Sequence, residues 1–407
     1  MMSAMDWFND LFAKKNERIF LDYASATPVL PEVKRVMEKY DSELFHNSSA
    51  IYQEGVRVKQ EVEDYRAKVA NMVGAGAKEI IFTASGTESV NLAILGVFEE
   101  AKEIVNKPHL IISSIEHPAV VRAAEEVVRR GGELSILDVD EEGVISFERL
   151  KKLLKKNTVL VSIGLANSEI GTIQPLSKVG RFLKEERKKR NPPAGGQYPL
   201  LHTDASAAPS YLNTNIETLQ CDLMTLDGSK IYGPKGVGIL ALRRGVSIHP
   251  LIFGGNQEKG RRAGTVNPGA IAGFSKALEI AIRDREREGT RLESLRQRFI
   301  NHVIKRVPQA IVNGSSEFHL PNIVSISIPG ILAEFLLLKL DVHGILVSVG
   351  SACSLDERES GSPIIEALGK KELKESSIRF SFGRFTTEKE LKKAVETFCR
   401  LAQNMVK

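Results

Sequence analysis

The feature that most constrains this chain is the regular alternation of short apolar runs with longer amphipathic segments between residues 79 and 242. The short runs have the length of buried strands, whereas the intervening segments carry apolar residues at helical spacing. Strands that alternate with helices in this way form βαβ units, whose parallel strands are covered by helices on both faces. We therefore predict an α/β fold with a mainly parallel sheet, with strands at residues 79–82, 109–115, 134–137, 158–166, 200–203 and 237–242.

The pattern changes near residue 268, after which strands and helices no longer alternate regularly. A chain of 407 residues is long enough for two or three domains. We predict a large domain over residues 19–267 and a smaller α+β domain over residues 268–407. The smaller domain would begin with two helices, at residues 268–285 and 292–306.

The first 18 residues contain four large apolar side chains at helical spacing, Trp7, Phe8, Leu11 and Phe12. This spacing predicts a short amphipathic helix with one apolar face. We expect that face to pack on the smaller domain or on a second subunit, and contact with a membrane is the alternative.

The composition argues against several classes of function. The net charge of +5 is spread over mixed Lys/Glu helices, without the basic block that is typical of nucleic-acid-binding proteins. The three cysteines, Cys221, Cys353 and Cys399, cannot all pair and lack the spacing of a zinc site. No apolar run reaches the roughly 18 residues of a membrane span. We expect a cytoplasmic protein that holds no metal and crosses no membrane.

One lysine, Lys230, lies in a loop of small residues between two apolar runs. A lysine that is desolvated in such a loop loses its proton more readily and can attack a carbonyl carbon. Its partner would be an aldehyde cofactor, of which pyridoxal 5'-phosphate (PLP) is the first candidate. Taken alone, the motif is more typical of a solvated surface loop. Other residues are therefore needed to distinguish a cofactor-binding lysine from a surface lysine.

Further polar residues follow other predicted strands, where a ligand crevice is expected. The turn at residues 83–89 offers bare N–H groups at a helix start, which suits a phosphate. His117 and Asp204 also lie at strand ends, and a carboxylate such as Asp204 can pair with a protonated ring nitrogen. The alternatives are ordinary helix caps, both for the turn and for Asp204.

Read together, these motifs resemble the cysteine desulfurases, the NifS-like class V branch of the PLP enzymes with aminotransferase fold type I. The resemblance runs from about Ile19 to Thr387, which is most of the chain. It implies a large PLP-binding domain with a mainly parallel sheet, plus a smaller α+β domain. Its specific pieces are Leu21-Asp22-Tyr23, Gly86-Thr87-Glu88-Ser89, Glu116-His117, Asn167-Ser168-Glu169-Ile170-Gly171, His202-Thr203-Asp204-Ala205, Lys230-Ile231-Tyr232-Gly233-Pro234-Lys235-Gly236, Arg262-Ala263-Gly264-Thr265, Gly350-Ser351-Ala352-Cys353 and Ser376-Ser377-Ile378-Arg379-Phe380-Ser381.

The resemblance implies roles for the residues around the cofactor. Lys230 matches the lysine that forms the Schiff base, and Asp204 matches the partner of the pyridine nitrogen. His117 matches the histidine that stacks on the ring and moves protons. Gly86 and Thr87 match the turn that binds the phosphate.

It also implies roles for residues that meet the substrate or a second subunit. Arg379 matches the arginine that binds the substrate carboxylate, and Asn47 lies in a stretch that lines the same pocket. Thr265 matches a threonine that reaches the phosphate from the neighbouring subunit, so a homodimer is implied. Cys353 matches the nucleophile, which takes sulfur from L-cysteine as a persulfide and leaves L-alanine.

Small and charged residues around Cys353 suit an exposed loop, as a nucleophile that serves a partner requires. The loop resembles the branch of the family that passes sulfur to a separate scaffold or carrier protein. The sulfur would then be used for iron–sulfur cluster assembly or tRNA thiolation. For Cys221 and Cys399 we predict buried, inert thiols.

Four residues depart from the family pattern close to the cofactor, namely Asp227, Ser229, Ala207 and Ser168. The family usually has Ser or Thr, His, Gln and Asn at these positions. Ser168 and Ser229 are still predicted to contact the cofactor. Asp227 places a carboxylate near a phosphate, and we expect it to turn onto backbone N–H groups.

These departures keep two alternatives open. One is a selenocysteine lyase or another PLP β-lyase, and the other is a catalytically weak paralogue that acts as a dimeric partner-binding protein. PLP binding together with sulfide release from cysteine would distinguish a cysteine desulfurase from the catalytically weak paralogue.

Overall fold

The computed structural model describes residues 18–190, 197–350 and 361–406. Its strands, in chain order, are β1 (Ile19–Phe20), β2 (Ile80–Thr83), β3 (His109–Ser113), β4 (Glu133–Leu137), β5 (Thr158–Ser162), β6 (Leu200–Asp204), β7 (Leu223–Asp227), β8 (Gly238–Leu242), β9 (Ile311–Asn313), β10 (Ile323–Ser327), β11 (Ile345–Leu346) and β12 (Ser377–Ser381). Its α-helices are α1 (Pro31–Ser42), α2 (Gln53–Val73), α3 (Gly86–Lys102), α4 (Pro118–Arg129), α5 (Phe147–Leu153), α6 (Leu176–Lys189), α7 (Ile216–Leu219), α8 (Pro268–Arg306), α9 (Ala333–Val342), α10 (Pro363–Ala367) and α11 (Glu388–Val406).

A seven-stranded sheet forms the centre of the molecule, in the order β2-β8-β7-β6-β5-β3-β4. Strands β4, β3, β5, β6 and β7 pair in parallel with one another, and β8 runs antiparallel to both of its neighbours, β7 and β2. Strands β2, β3, β5 and β8 are buried along their whole length because helices cover both faces of the sheet. The predicted α/β fold with a mainly parallel sheet is therefore confirmed.

Helix α3 begins earlier than the sequence pattern indicated. We predicted a helix at residues 90–98, but it starts at Gly86 because the Ser85 hydroxyl accepts a hydrogen bond from the Glu88 N–H and caps it. The small polar residues before Val90 are thus the first helical turn, and Gly86 and Thr87 belong to it. This places the helix N-terminus, where the dipole favours an anion, directly at the end of β2.

The two helices predicted at residues 268–285 and 292–306 are wrong as separate elements, because α8 is one helix of 39 residues. The charged stretch between them is rich in Arg and Glu, which are good helix formers, and it contains no proline. Phe274 lies in the core beneath the central sheet, whereas Phe299 lies in a second core. The helix therefore joins the two cores, and the domain boundary at residue 268 stays a prediction.

The second core packs around the antiparallel sheet β12-β10-β9 and the short parallel pair β1-β11. Phe299, Phe380 and Phe398 contact one another at its centre, with ring centroids 4.7 to 6.4 Å apart. Ile19 and Leu21 also belong to this core, although they begin the chain's described part. The first described residues therefore pack against the C-terminal part of the fold.

Candidate active site

A cavity of about 800 Å³ lies at the carboxyl ends of the parallel strands. The turns after β2, β3, β5, β6 and β7 all contribute to its lining, as expected for a ligand site in an open α/β sheet. The fold thereby brings together residues that are far apart in sequence. The predicted site residues that line the cavity are Gly86, Thr87, His117, Ser168, Asp204, Ser229, Lys230 and Arg379.

Lys230 ends the short 3-10 turn that follows β7. Its Nζ donates to the backbone oxygens of Ala24 and Ser25, at 2.9 and 2.5 Å. The same segment also binds the loop that carries Lys230, because the N–H and hydroxyl of Thr27 both donate to the Ser229 carbonyl. The turn at residues 24–27 thus fixes Lys230 in place. Sequence reasoning gave this turn no role, although it follows the family motif at residues 21–23.

His117 caps helix α4, and its Nδ1 accepts a hydrogen bond from the Ala119 N–H at 3.1 Å. The neutral ring therefore carries its proton on Nε2, which leaves that N–H for a ligand. Burial lowers the pKa of His117, and the positive charge of Lys230 lowers it further. Asp204 and Asp227 act in the opposite direction. The ring still faces the open cavity and remains accessible to solvent.

Asp204 ends strand β6 in the middle of the sheet, and its Oδ1 accepts from the Ser206 N–H at 3.0 Å. A second carboxyl group, Glu116, is buried nearby and accepts from the Gly164 N–H at 2.9 Å and from the Ser113 hydroxyl. Burial raises the pKa of Glu116 to about 7, and the charge of Asp204 contributes to the increase. The Glu116 carboxyl therefore tends to hold a proton up to about pH 7.

Arg379 extends from β12 into the cavity and is only 3% exposed. Its guanidinium donates to Asp22 Oδ1 at 2.6 Å, to the Ser25 hydroxyl at 2.8 Å and to the Ser168 carbonyl at 3.0 Å. The buried Nε has no partner among the described residues. These contacts hold a fixed cation at the edge of the cavity, as a carboxylate-binding site requires.

The start of helix α3 is occupied by a side chain of the protein itself. Asp227 Oδ2 accepts from the Gly86 N–H at 2.7 Å, and Oδ1 accepts from the N–H and hydroxyl of Ser229 at 2.7 and 2.6 Å. This is the expected arrangement, in which the carboxylate turns onto the N–H groups of the glycine turn. Asp227 consequently uses donors that a bound phosphate would also use.

The remaining groups at this end of the cavity fit a phosphate. The Ser206 hydroxyl is buried and has no partner in the described part of the chain. A Cβ added at Gly86 would lie 3.2 Å from that hydroxyl, so the glycine keeps the approach open. Together with Lys230 and Asp204 in the same cavity, these residues fit PLP, whereas the Asp227 carboxylate competes with its phosphate. Ser206 was not predicted, because a lone serine two residues after an aspartate gives no specific signal.

Two predicted residues, Asn47 and Thr265, lie outside the cavity of the single chain, and a third is not among the described residues. The Asn47 side chain instead accepts from the Ser49 N–H at 2.8 Å. Thr265 is exposed, so its predicted contact across a dimer stays a prediction. Cys353 lies outside the described residues. Asn167, which was quoted only as part of a motif, caps the turn after β5 through the N–H groups of Glu169 and Ile170.

The two other cysteines are buried and free, in agreement with the prediction of inert thiols. Burial raises the pKa of Cys221 to about 12 and that of Cys399 to about 11. Neither supplies a thiolate near neutral pH. In the described ranges there is also no cluster of three metal-ligating side chains, and no helix is long and apolar enough to cross a membrane.

Residues 19–394 match the family Aminotransferase class-V. The chain belongs to this family. It is 40% identical over 390 residues to a protein named cysteine desulfurase IscS from Dictyoglomus turgidum, with 95% of each chain covered. It is 34% identical to cysteine desulfurase IscS 1 from Archaeoglobus fulgidus, over 93% of this chain and 95% of that one. Class-V aminotransferases of this kind depend on PLP, so the predicted family and cofactor are confirmed.

Solved structures agree with this assignment. One described as a NifS-like protein superposes with a TM-score of 0.86 at 31% identity, covering 95% of this chain and all of its own. The predicted NifS-like fold is therefore confirmed.

Proposed function

We propose that this protein is a PLP-dependent cysteine desulfurase, which converts L-cysteine to L-alanine and retains the sulfur as a persulfide. The observation that carries the proposal is the convergence of Lys230, Asp204, His117 and Arg379 on one cavity at the strand ends. The cysteine desulfurases to which the chain is 34–40% identical support it.

The chain's own residues would bind and orient the cofactor and the substrate. Lys230 would hold the aldehyde carbon covalently, and Asp204 would keep the ring nitrogen protonated. Bound PLP supplies the electron sink that stabilises negative charge on the substrate Cα. Arg379 would bind the substrate carboxylate, and its fixed position would orient the Cα–H bond towards Lys230 and His117.

Proton transfer falls to two groups with complementary properties. His117 has a lowered pKa, so its ring is neutral near pH 7 and its Nε2–H can be donated. The amine of Lys230 would accept the proton of the substrate Cα. Both side chains line the same cavity, which supports this pairing of roles.

Sulfur transfer is assigned to Cys353. Its thiolate would attack the substrate sulfur, forming the S–S bond while the Cβ–S bond of cysteine breaks. The electron pair of that bond stays on the carbon fragment, which takes up a proton and leaves as alanine. The balance requires no external oxidant, because one cysteine and one thiol give alanine and one persulfide. Neither Cys221 nor Cys399 is suited to this role, since burial raises the pKa of both thiols.

We also propose a cytoplasmic homodimer that passes sulfur to an iron–sulfur scaffold or a sulfur-carrier protein. Two of the exposed large apolar side chains are Ile51 and Phe253, which are 97% and 76% accessible. Thr265 is exposed in the loop that follows Phe253 and would reach the partner's cofactor from there. Two free cysteines suit a reducing compartment.

The test is sulfide release from L-cysteine by the purified protein, in the presence of PLP and a thiol reductant. Stoichiometric alanine with sulfide supports the proposal. Faster release of selenide from selenocysteine would favour the lyase alternative instead. Retention of PLP without release of either product would favour the weak paralogue, for which the occupation of the phosphate-binding turn by Asp227 is the supporting observation.

A further inference from the structure

Helix α9 carries apolar side chains on two opposite faces. One face is buried in the second core through Ala333, Leu336 and Leu340. The other is exposed, and we call it the outer face of α9. Its members are Leu332 at the N-cap and then Phe335, Leu338 and Val342, which are 47%, 58%, 58% and 51% accessible.

The spacing of these four residues makes them one continuous stripe. Positions separated by three or four residues lie on the same side of a helix. A helix that is apolar on all sides is normally covered on all sides. A contiguous exposed patch of this kind marks a contact surface, whereas single exposed apolar residues do not. The outer face of α9 therefore requires an occupant.

The chain enters the described structure beside this face. Arg18, the first described residue, forms an ion pair with Asp341 near the C-terminal end of α9. The next residue, Ile19, donates its N–H to the Gly344 carbonyl at 2.8 Å, and β1 then pairs in parallel with β11. Whatever precedes Arg18 thus starts next to Val342, at one end of the apolar stripe.

The sequence before Arg18 carries large apolar side chains that could cover the exposed stripe. Trp7, Phe8, Leu11 and Phe12 recur at helical spacing in residues 1–17. Residues 13–17, which separate them from Arg18 and are mostly polar, span at most about 17 Å when extended. Helix α9 has 10 residues and is about 15 Å long. The tether is therefore long enough for the four side chains to reach every position of the outer face.

We propose that residues 1–17 cover the outer face of α9 within the same chain, with Trp7, Phe8, Leu11 and Phe12 against Leu332, Phe335, Leu338 and Val342. A short tether gives such a segment a millimolar effective concentration at its site, which favours it over a second copy at ordinary protein concentrations. The proposal does not depend on the catalytic activity.

Trp7 makes the proposal directly testable, because it is the only tryptophan of the chain. The emission maximum and acrylamide quenching of the full-length holoenzyme would be compared with those of the same protein in denaturant. We expect a blue-shifted emission and reduced quenching in the native protein. Phe335→Asp and, separately, Leu338→Asp should shift the emission to the red and restore quenching. Val128→Asp on α4 is the matched control, since Val128 is 47% exposed; it should change neither.

Each other outcome overturns the proposal. A native Trp7 as accessible as in denaturant would show that the segment covers nothing. Shielding that survives both substitutions on α9 would place Trp7 on another surface. Shielding that disappears on dilution, in step with dissociation measured by light scattering, would identify a second copy as the partner. Circular dichroism of the variants confirms that α9 has not unfolded.

Discussion

Replacement of Asp227 tests whether this protein binds its cofactor less tightly than its fold allows. Asp227 Oδ2 lies 2.7 Å from the Gly86 nitrogen, so a phosphate that accepts from the same N–H must sit against the carboxylate. Two like charges about 4 Å apart at an effective dielectric constant near 20 repel by roughly 4 kcal/mol. This corresponds to about a thousandfold in the dissociation constant of PLP. Asp227→Ser should therefore tighten PLP binding by up to that factor.

The same substitution should weaken the protein without its cofactor. The carboxylate accepts three hydrogen bonds, from the Gly86 N–H and from the N–H and hydroxyl of Ser229. Their loss, partly compensated by water, should lower the free energy of unfolding by about 2 kcal/mol. Asp227→Ser should thus change two quantities in opposite directions: the cofactor-free protein should become less stable, and its affinity for PLP should rise. Few substitutions with a merely structural effect would produce both.

The assay is a PLP titration followed by absorbance near 420 nm, with urea denaturation of the cofactor-free protein. Asp227→Asn removes the charge and keeps one acceptor oxygen, so it separates repulsion from hydrogen bonding. Asp64→Asn, an exposed carboxylate on α2, controls for net charge and should leave PLP binding unchanged. Weaker PLP binding by Asp227→Ser would refute the reasoning, because it would mean that the carboxylate organises the phosphate site.

Three further predictions follow from the site. Lys230→Ala should abolish turnover and the borohydride-stable attachment of PLP to the chain; an attachment that persists in this variant would assign the cofactor to another lysine. Cys353→Ser should bind PLP and cysteine but release no sulfide, and persulfide labelling found on Cys221 or Cys399 instead would contradict the assignment. Glu116 binds a proton up to a pKa of about 7 in the folded protein, against 4.5 for the free group, so stability should fall by about 3 kcal/mol as the pH rises through this window. Glu116→Gln should remove this slope in urea denaturation between pH 4.5 and 7.5, and an unchanged slope would show that other groups cause it.

Local sequence patterns determined the elements of the fold and their order. The apolar runs predicted β2, β3 and β8 to within two residues, because strands buried on both faces are largely apolar. Polar residues that interrupt those runs predicted which side chains would lie at the strand ends. Motifs of a recognised family then predicted the cofactor and assigned roles to those side chains.

Other features depended on contacts that no local pattern contains. The continuity of α8 through its charged stretch is supported by burial at both ends of the helix. The turn at residues 24–27 accepts hydrogen bonds from Lys230, although the two are about two hundred residues apart in sequence. The sequence placed Asp227 near a phosphate site, but only the tertiary structure showed that its carboxylate binds the helix terminus. The physical reason is that hydrogen-bond partners are chosen among groups that folding brings together, whereas periodicity and motifs describe only neighbours along the chain.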